Sequence, residues 1–433
     1  MLHAIIDVRS IPRQSIASGS TWENGTVVTK PKNLRTGRSI WECQRASSVP
    51  HGPLVRDVET DVLVIGAGIT GAMIADALDT SGLKVVIVDK RGPAKGSTTA
   101  STALVQYEID TPLTKLSRKI GEADAVRAWR RSRLAVDALA ARLGELNVPD
   151  VVRRDSLYLA GNVLDKDELA REHDARRAAD LASRYLDRRS LHARFGIARD
   201  AALLGYGNIL LDPRKTTLAL LKTAAMHKTT IFAPVEIVDL EAKKIGVTAT
   251  AANGRHIHCR HLVFATGYEL PDCVPRRGHK LTSTWAIATV VQPRRPWPEQ
   301  CIIWEASDPY LYLRTTSDGR VICGGEDEDF SDAAERDAVL ERKTKTLTRK
   351  LARLVRNLDT TIEFAWTGTF GESATGLPTI ARVPRMQNCW VALGYGGNGI
   401  TYARIAADII CGALMGRPDV DADLYDFPRL LAP

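Results

Sequence analysis

The sequence of 433 residues lacks any apolar run that approaches the roughly 20 residues of a membrane-spanning helix. Near the start of the chain only a short apolar stretch occurs, and Asp7 interrupts it, so the pattern of a secretory signal is missing as well. The sequence also contains no internal repeat. These absences predict a cytoplasmic protein that has no membrane partner.

Paired cysteines are also absent, because no two of the seven cysteines stand at CxxC spacing. His256, His258 and Cys259 come close together, and alternate residues of a strand share a face, so a metal site is one interpretation. No paired cysteine motif follows them. We therefore expect no metal and a set of reduced thiols.

A large excess of charge is missing too, since the formal net charge is +8. Between residues 122 and 199 basic and acidic residues alternate within helical patterns, which is typical of solvated faces. The charge could attract acidic substrates, but nucleic acid is not an expected partner. A hydrophobic content of 44% and a charged content of 25% are ordinary for a globular protein.

The most informative segment that is present covers residues 61–90. Two apolar runs, 62–65 and 85–88, are typical of strands buried on both faces of a parallel sheet. A glycine-rich turn and a helical pattern lie between them, so the segment predicts a βαβ unit. The free N–H groups and the dipole of such a helix favour phosphate at its N-terminus.

Each glycine of the turn has a separate predicted role. Gly66 permits the tight turn after the strand, Gly68 lets a pyrophosphate approach the backbone, and Gly71 lets the helix approach the sheet. Asp89 ends the second strand, where a carboxylate accepts hydrogen bonds from a ribose and repels the extra phosphate of NADP. This part of the predicted cofactor site comprises Gly66, Gly68, Ile69, Thr70, Gly71, Asp89 and Lys90.

Three later segments favour FAD over NAD. Residues 96–106 are dense in small and hydroxyl side chains that could approach a flavin and donate to phosphates, although a Ser/Thr helix cap is the alternative. Residues 259–268 form an apolar run ending in small residues, and the strand pattern before it could pair Val235 with an adenine. Residues 390–410 place four glycines before a helix whose N-terminus would stabilise a reduced flavin; a mobile loop is the alternative. These segments add Ser97, Thr98, Thr99, Ser101, Val235, Thr266, Gly267, Gly394, Gly396, Gly397, Asn398, Gly399 and Ile400 to the predicted cofactor site.

Together these motifs resemble the FAD-dependent D-amino-acid oxidase superfamily over about residues 38–425. SIWE followed by LVRDVETDVLVIGAGITG is most similar to its γ-glutamylputrescine oxidoreductase branch. The resemblance implies an α/β fold, with a Rossmann-like parallel sheet that binds FAD and a second, mainly antiparallel α+β part for the substrate.

The predicted division of the chain follows from this fold. We expect residues 58–110, 205–270 and 364–425 in the FAD-binding part, and residues 111–204 and 271–363 in the substrate part. Residues 1–37 show no sustained periodicity and predict a poorly ordered extension. Helical patterns cover residues 122–146, 165–189, 214–227 and 332–358, and strand-like alternation covers 281–292 and 310–325.

The chemistry implied by the resemblance is hydride removal from a carbon beside the nitrogen of a small amine or amino acid. The imine then hydrolyses, and the electrons pass to oxygen or another acceptor. Because the cofactor performs the hard step, no catalytic side chain is named. Two alternatives remain, a tRNA-modifying flavoenzyme and a non-enzymatic assembly factor that keeps FAD for structure.

Tyr310, Tyr312 and Arg314 are the predicted substrate-binding residues, because alternate positions of a strand share one face. Together they could hold a substrate carboxylate, whereas the alternative is a half-exposed strand with a solvated arginine. Trp285 and Trp366 are expected in the core.

The chain also departs from its superfamily. Sarcosine oxidase attaches its flavin through a cysteine near the segment that here reads AWTGTFGESATGLPTIA, which has no cysteine, so we predict non-covalent FAD. Thr375-Gly376 and Ala381 replace residues common near the flavin, and Tyr395 stands where histidine is common.

Overall fold

The structure is a computed structural model that describes residue 29 and residues 32–275 and 278–427. Helices and two β-sheets make up the described part of the chain. The α-helices are α1 (Ile69–Leu78), α2 (Leu113–Ile120), α3 (Glu122–Glu145), α4 (Lys166–Ala178), α5 (Arg188–Phe195), α6 (Pro213–Ala225), α7 (Ala333–Ala338), α8 (Leu340–Leu354) and α9 (Gly399–Leu414). The strands are β1 (Val58–Ile65), β2 (Val85–Val88), β3 (Leu104–Val105), β4 (Val152–Leu159), β5 (Ser183–Asp187), β6 (Ala201–Leu210), β7 (Thr229–Phe232), β8 (Ile237–Lys243), β9 (Gly246–Ala251), β10 (His256–Phe264), β11 (His279–Thr289), β12 (Ile302–Glu305), β13 (Leu311–Thr315), β14 (Val321–Glu328), β15 (Ile362–Ser373), β16 (Thr379–Arg382) and β17 (Cys389–Leu393).

The first sheet has eight strands, and its main path runs β16-β17-β10-β1-β2-β7. The pairs from β17 to β7 are parallel, with Leu63 opposite both Val86 and Leu262. The antiparallel strands β8 and β9 extend from β10. This arrangement confirms the predicted parallel sheet built around a βαβ unit.

Burial on both faces explains why β2 and the second half of β1, residues 62–65, are apolar. Val62 and Val64 point into a core that α1 and α9 cover. Leu63 and Val86 point to the opposite face, where they join a cluster with residues of β8 and β9. These segments therefore have no polar face, as expected of a parallel sheet covered on both sides.

The second sheet has nine strands in the order β15-β11-β14-β13-β12-β4-β6-β3, and β5 pairs with β6. All its pairs are antiparallel except that of β4 with β12. Helix α8 covers one face, where Leu347 and Leu351 join the buried cluster of Trp285. Trp285 and Trp366 are both fully buried, which confirms that they lie in the core.

Two predicted helices are shorter than the patterns indicated. The 165–189 pattern divides into α4, the strand β5 and the start of α5, because Asp180 adopts a φ of 57° and the following residues pair with β6. Asp187 then begins α5 by accepting a hydrogen bond from Ser190 N. The 332–358 pattern divides into α7 and α8 at Val339 and ends at Leu354. Helices α3 and α6 agree with their predictions.

The sheets also divide the chain differently from the prediction at three places. β3, β6 and β15 fall wholly or largely in segments assigned to the FAD-binding part, yet all three belong to the second sheet. The reason is strand pairing, since β15 pairs with β11 from Ser373 opposite His279 to Ile362 opposite Thr289.

Most of the predicted extension 1–37 lies outside the described residues. In its described part, Thr36 O accepts a hydrogen bond from Thr367 N at 2.8 Å, and Gly37 pairs with Trp366. Residues 32–37 therefore lie against β15, contrary to the prediction of poor order. Across the described ranges, no helix combines the length and apolarity that crossing a membrane requires.

Candidate functional site

A large cavity lies between the two sheets, at the carboxyl ends of the parallel strands. Ile65 at the end of β1, Val88 at the end of β2 and Ala265 just after β10 line one side. Thr284, Tyr312 and Gly368 from the second sheet line another. Ligands of open α/β sheets bind at this edge of the parallel strands.

The glycine turn after β1 brings the backbone to the cavity wall. Gly66 has a φ of 117°, and a Cβ atom there would lie 2.3 Å from Ala265 O. A Cβ atom at Gly71 would lie 1.9 Å from Gly66 O, so this glycine permits the close approach of α1 to the turn. Gly68 is the N-cap of α1 and has no side chain with which to cap the helix. The turn therefore presents backbone N–H groups and a helix N-terminus to the cavity, a geometry that suits a phosphate.

Asp89 organises the backbone at the end of β2. Its Oδ2 accepts a hydrogen bond from Ala67 N at 2.8 Å, and its Oδ1 accepts from Arg91 N and Gly92 N. Its carbonyl accepts from Val235 N at 2.9 Å. Asp89 and Val235 both line the cavity, so the residues predicted for the ribose and the adenine lie side by side.

Glu269 is a buried acid beside Asp89 that the motif analysis did not single out. Its carboxylate accepts hydrogen bonds from Arg91 Nη1 and from Lys32 N, and it lies 3.0 Å from Lys90 Nζ. Burial opposes its ionisation, but these donors outweigh burial and hold the pKa of Glu269 below its ordinary value. Lys90 and Arg91 are therefore paired within the protein.

The loop of small residues after β2 is held in place by two tryptophans. Trp41 Nε1 donates to Ser101 O at 2.7 Å, and Trp366 Nε1 donates to Ala100 O at 2.9 Å. Thr98 Oγ1 accepts from Ile69 N, which ties the loop to the first turn of α1. Ser97, Thr98 and Ser101 line the cavity, whereas Thr99 is buried behind it.

The glycine loop before α9 forms the opposite end of the cavity. Gly396, Gly397, Asn398, Gly399 and Ile400 line it, and no side chain caps α9. Gly394 is not a lining residue; a Cβ atom there would lie 2.6 Å from Nδ1 of the His279 ring. Tyr395 Oη donates its hydroxyl proton to Ala392 O at 2.8 Å, so that proton is already hydrogen-bonded within the protein.

Asp110 lies against this loop and is a site residue that the motif analysis missed. Its Oδ2 accepts a hydrogen bond from Gly397 N at 2.8 Å, and its own N–H donates to Asn398 Oδ1. The Asp110 side chain is exposed to the space of the cavity, and the cavity walls surround it on the other sides. Because the walls keep it from bulk water and the charge of Glu372 adds to this effect, the pKa of Asp110 is raised to about 6.

Tyr310 and Tyr312 line the same end of the cavity, and their ring centroids are 5.3 Å apart. Burial raises the pKa of both phenols, so both keep their protons at neutral pH. Tyr268 and Trp304 complete an aromatic wall that sequence patterns did not identify. These side chains come from separate strands and loops, and only the fold brings them together.

Arg314 does not join the two tyrosines at the cavity. Its Nη1 donates to Ala103 O at 2.7 Å, to Leu211 O at 2.9 Å and to Thr102 O at 3.2 Å. The side chain is 3% exposed and is not a lining residue. The geometry therefore assigns Arg314 to holding loops together, which corrects its predicted role in substrate binding.

The described residues form no metal-binding cluster. His256 and His258 share a strand face as expected, but their Nδ1 atoms contact the hydroxyls of Thr250 and Thr248. Two helix N-termini at the cavity, hydroxyl side chains and an aromatic wall instead match the phosphates and the ring of FAD. Gln106 supports this fit, since it lines the cavity and its buried Nε2 has no partner within the described chain.

Comparison with known proteins shows the family and the fold. The family described as "DAO: FAD dependent oxidoreductase" matches residues 61–413. Glycine oxidase of Bacillus licheniformis is 22% identical over 381 residues, which cover 83% of this chain and 94% of that protein. The tRNA 5-methylaminomethyl-2-thiouridine biosynthesis bifunctional protein MnmC of Cupriavidus necator is 24% identical over 90% of this chain, but the match covers 62% of its own length.

Solved structures show the same fold. Glycine oxidase from Geobacillus kaustophilus superposes with a TM-score of 0.69 at 19% identity, over 87% of this chain and 100% of that one. L-proline dehydrogenase from P. horikoshii has a TM-score of 0.69 at 16% identity, over 86% and 97%.

Proposed function

The chain belongs to the DAO family of FAD-dependent oxidoreductases, and we propose that it oxidises a carbon–nitrogen bond of a small amine or amino acid with non-covalent FAD. The observation that carries the proposal is the continuity of one cavity. It extends from Gly68 and Asp89 at one end to Asp110, Tyr310 and Tyr312 at the other. A dinucleotide and a small substrate would therefore share one continuous space.

The proposed reaction removes a hydride from the carbon and a proton from the nitrogen, which leaves an imine. Water then adds to the imine and releases a carbonyl product and an amine. FAD, when bound, accepts the two electrons and passes them to oxygen or another acceptor. The protein would position the reacting carbon and exclude water with the aromatic wall.

The residues that line the cavity indicate which groups would hold each part of the cofactor. The N-terminus of α1 and the Thr98 region would face the pyrophosphate, Asp89 the ribose and Val235 the adenine. The N-terminus of α9 would stabilise negative charge on the reduced ring. No cysteine is among the described lining residues, which supports non-covalent binding.

Anaerobic titration of the purified holoenzyme with amines and amino acids tests the proposal. Loss of the oxidised flavin absorbance with a compound of either class is the expected result. A flavin that no member of a broad panel reduces would contradict it.

A tRNA substrate is a second candidate, favoured by the similarity to the tRNA biosynthesis protein. A surface pocket has more basic than acidic lining residues, with Lys166, Arg188, Arg189 and Arg199 beside Asp165 and Asp200. This candidate predicts tRNA binding that weakens steeply as salt rises. Absence of binding at low salt would eliminate it.

A further inference from the structure

The charges along the cavity are unevenly distributed. Among its described lining residues, the basic ones are Lys90 and Arg91, and both are bound to Glu269 near Asp89. The end that Tyr310 and Tyr312 line therefore has no arginine, lysine or histidine among those residues. Arg314 is committed to three backbone carbonyls.

An acidic group occupies this end instead. Asp110 opens to the cavity and holds the glycine loop through Gly397 N. Glu372 acts electrostatically on Asp110 and is itself paired with Lys280 at 3.2 Å, while burial raises the pKa of the neighbouring Asp327 to about 7. A substrate carboxylate placed beside the ionised Asp110 would be repelled by it, whereas a cation would be attracted.

The walls around Asp110 also suit a cation. Tyr268, Tyr310 and Tyr312 line the same space, and the faces of aromatic rings attract ammonium groups. Two further lining residues, Gln106 and Trp304, are more than nine-tenths buried. Their Nε2 and Nε1 groups are donors with no acceptor in the described chain, which indicates that an acceptor atom of the cofactor or substrate, and not the ammonium group itself, completes them.

We propose that the substrate is a protonated amine with no carboxylate on the reacting carbon, and that Asp110 binds its ammonium group. This inference rests on the function proposed above and names the substrate class of the same site. Asp110 is the specificity-determining residue, Tyr310 and Tyr312 contact the carbon chain, and Gln106 and Trp304 donate to a cofactor or substrate acceptor.

The test compares compounds that differ by one carboxylate. The holoenzyme is mixed anaerobically with phenethylamine or phenylalanine, isobutylamine or valine, and cadaverine or lysine, with both enantiomers of each amino acid. We expect the amine of the most reactive pair to reduce the flavin at least tenfold more efficiently than its amino acid. Asp110→Asn should lower this efficiency about 10- to 100-fold, as expected from loss of a charge-assisted hydrogen bond.

Asp180→Asn is the matched control, because it removes the same charge from a carboxylate that is 87% exposed and pairs with Arg130. It should leave flavin reduction unchanged. The flavin-to-protein absorbance ratio of Asp110→Asn verifies that the variant folds and holds FAD. If that ratio falls, the amine-to-amino-acid preference of the unaltered holoenzyme still decides the substrate class.

The outcomes separate this inference from the broader proposal. Reduction by amino acids but not by amines would overturn the inference and leave C–N oxidation standing. Preference for amines with undiminished efficiency in Asp110→Asn would overturn the role of Asp110. A flavin that neither class reduces would contradict the proposed function itself.

Discussion

Gly66 shows how one residue makes the cofactor site possible. It combines a φ of 117° with a distance of 2.3 Å between its hypothetical Cβ atom and Ala265 O. We expect Gly66→Ala to lose FAD, because the turn must shift away from the phosphate position. The flavin-to-protein absorbance ratio measures the effect.

Gly254→Ala is the control for this prediction. Gly254 also has a positive φ, of 79°, but a Cβ atom there would meet nothing within 4 Å. The strain of about 1–2 kcal/mol should lower stability while FAD content stays normal. Equal FAD content in both variants would contradict the role of the close contact at Gly66.

Asp110 gives the proposed reaction a pH dependence. Its pKa is raised to about 6 by burial, so the carboxylate that binds an ammonium group is lost as the pH falls through 6. The efficiency of flavin reduction by an amine should therefore decline below about pH 6, and Asp110→Asn should lack this decline. The titratable groups that act on Asp110 or experience its charge are Tyr158, Tyr268, Tyr310, Glu372, Asp327 and Tyr402.

Stopped-flow measurement of flavin reduction between pH 5 and pH 9 would detect this decline in efficiency below about pH 6. If Asp110→Asn shows the same decline, the titrating group is not Asp110.

Sequence patterns revealed Gly66 but not Asp110, and the difference has a physical origin. The glycine turn is local, so its spacing in the chain encodes its geometry. The partner of Asp110, Gly397, is separated from it by 287 positions, and no short motif carries that contact. Arg314 was assigned to the substrate because strand alternation gives its face but not the three carbonyls that surround it.

At the scale of elements, Arg314 connects β13 to the loop that follows β2, through Thr102 O and Ala103 O, and to the residue that follows β6, through Leu211 O. We expect Arg314→Met to lower the free energy of unfolding by roughly 3 kcal/mol or more, because several buried carbonyls lose their donor. Denaturant unfolding of the variant measures this loss. The control is Arg153→Met on β4, whose side chain is 51% exposed and pairs with Asp137. It should lower the free energy of unfolding by less than about 1 kcal/mol.

A normal stability with a weakened substrate affinity in Arg314→Met would instead support its predicted role in substrate binding. That result would contradict the hydrogen-bonded position described here.

Elements with a strong local signal were predicted well, and those that depend on pairing were not. The βαβ unit and α3 carry their apolar periodicity within one segment. β5 lies in a highly charged stretch whose pattern predicts a helix. It forms a strand because its backbone pairs with β6. Its side chains alone do not indicate this partner.

At the scale of the whole molecule, we expect the cofactor to be released on denaturation. Since no cysteine lines the described cavity, acid precipitation should leave all the flavin in the supernatant. Flavin retained in the pellet would demonstrate a covalent link.

Free FAD at 100 times its Kd should also stabilise the apoprotein by about 2.7 kcal/mol, which thermal unfolding would detect.

The two-sheet architecture and the family were predictable because the cofactor motifs span most of the chain. The division between the sheets was less predictable, since β6 and β15 follow cofactor segments in the sequence but pair with β4 and β11. The substrate end of the cavity was the least predictable, because separate strands and loops contribute its walls.

The most direct test of the proposed C–N oxidation is the anaerobic visible spectrum of the purified protein before and after addition of the paired amines and amino acids. We expect an oxidised flavin spectrum that bleaches with an amine. Protein that contains no flavin and gains none with added FAD, or a flavin that no compound bleaches, would contradict it.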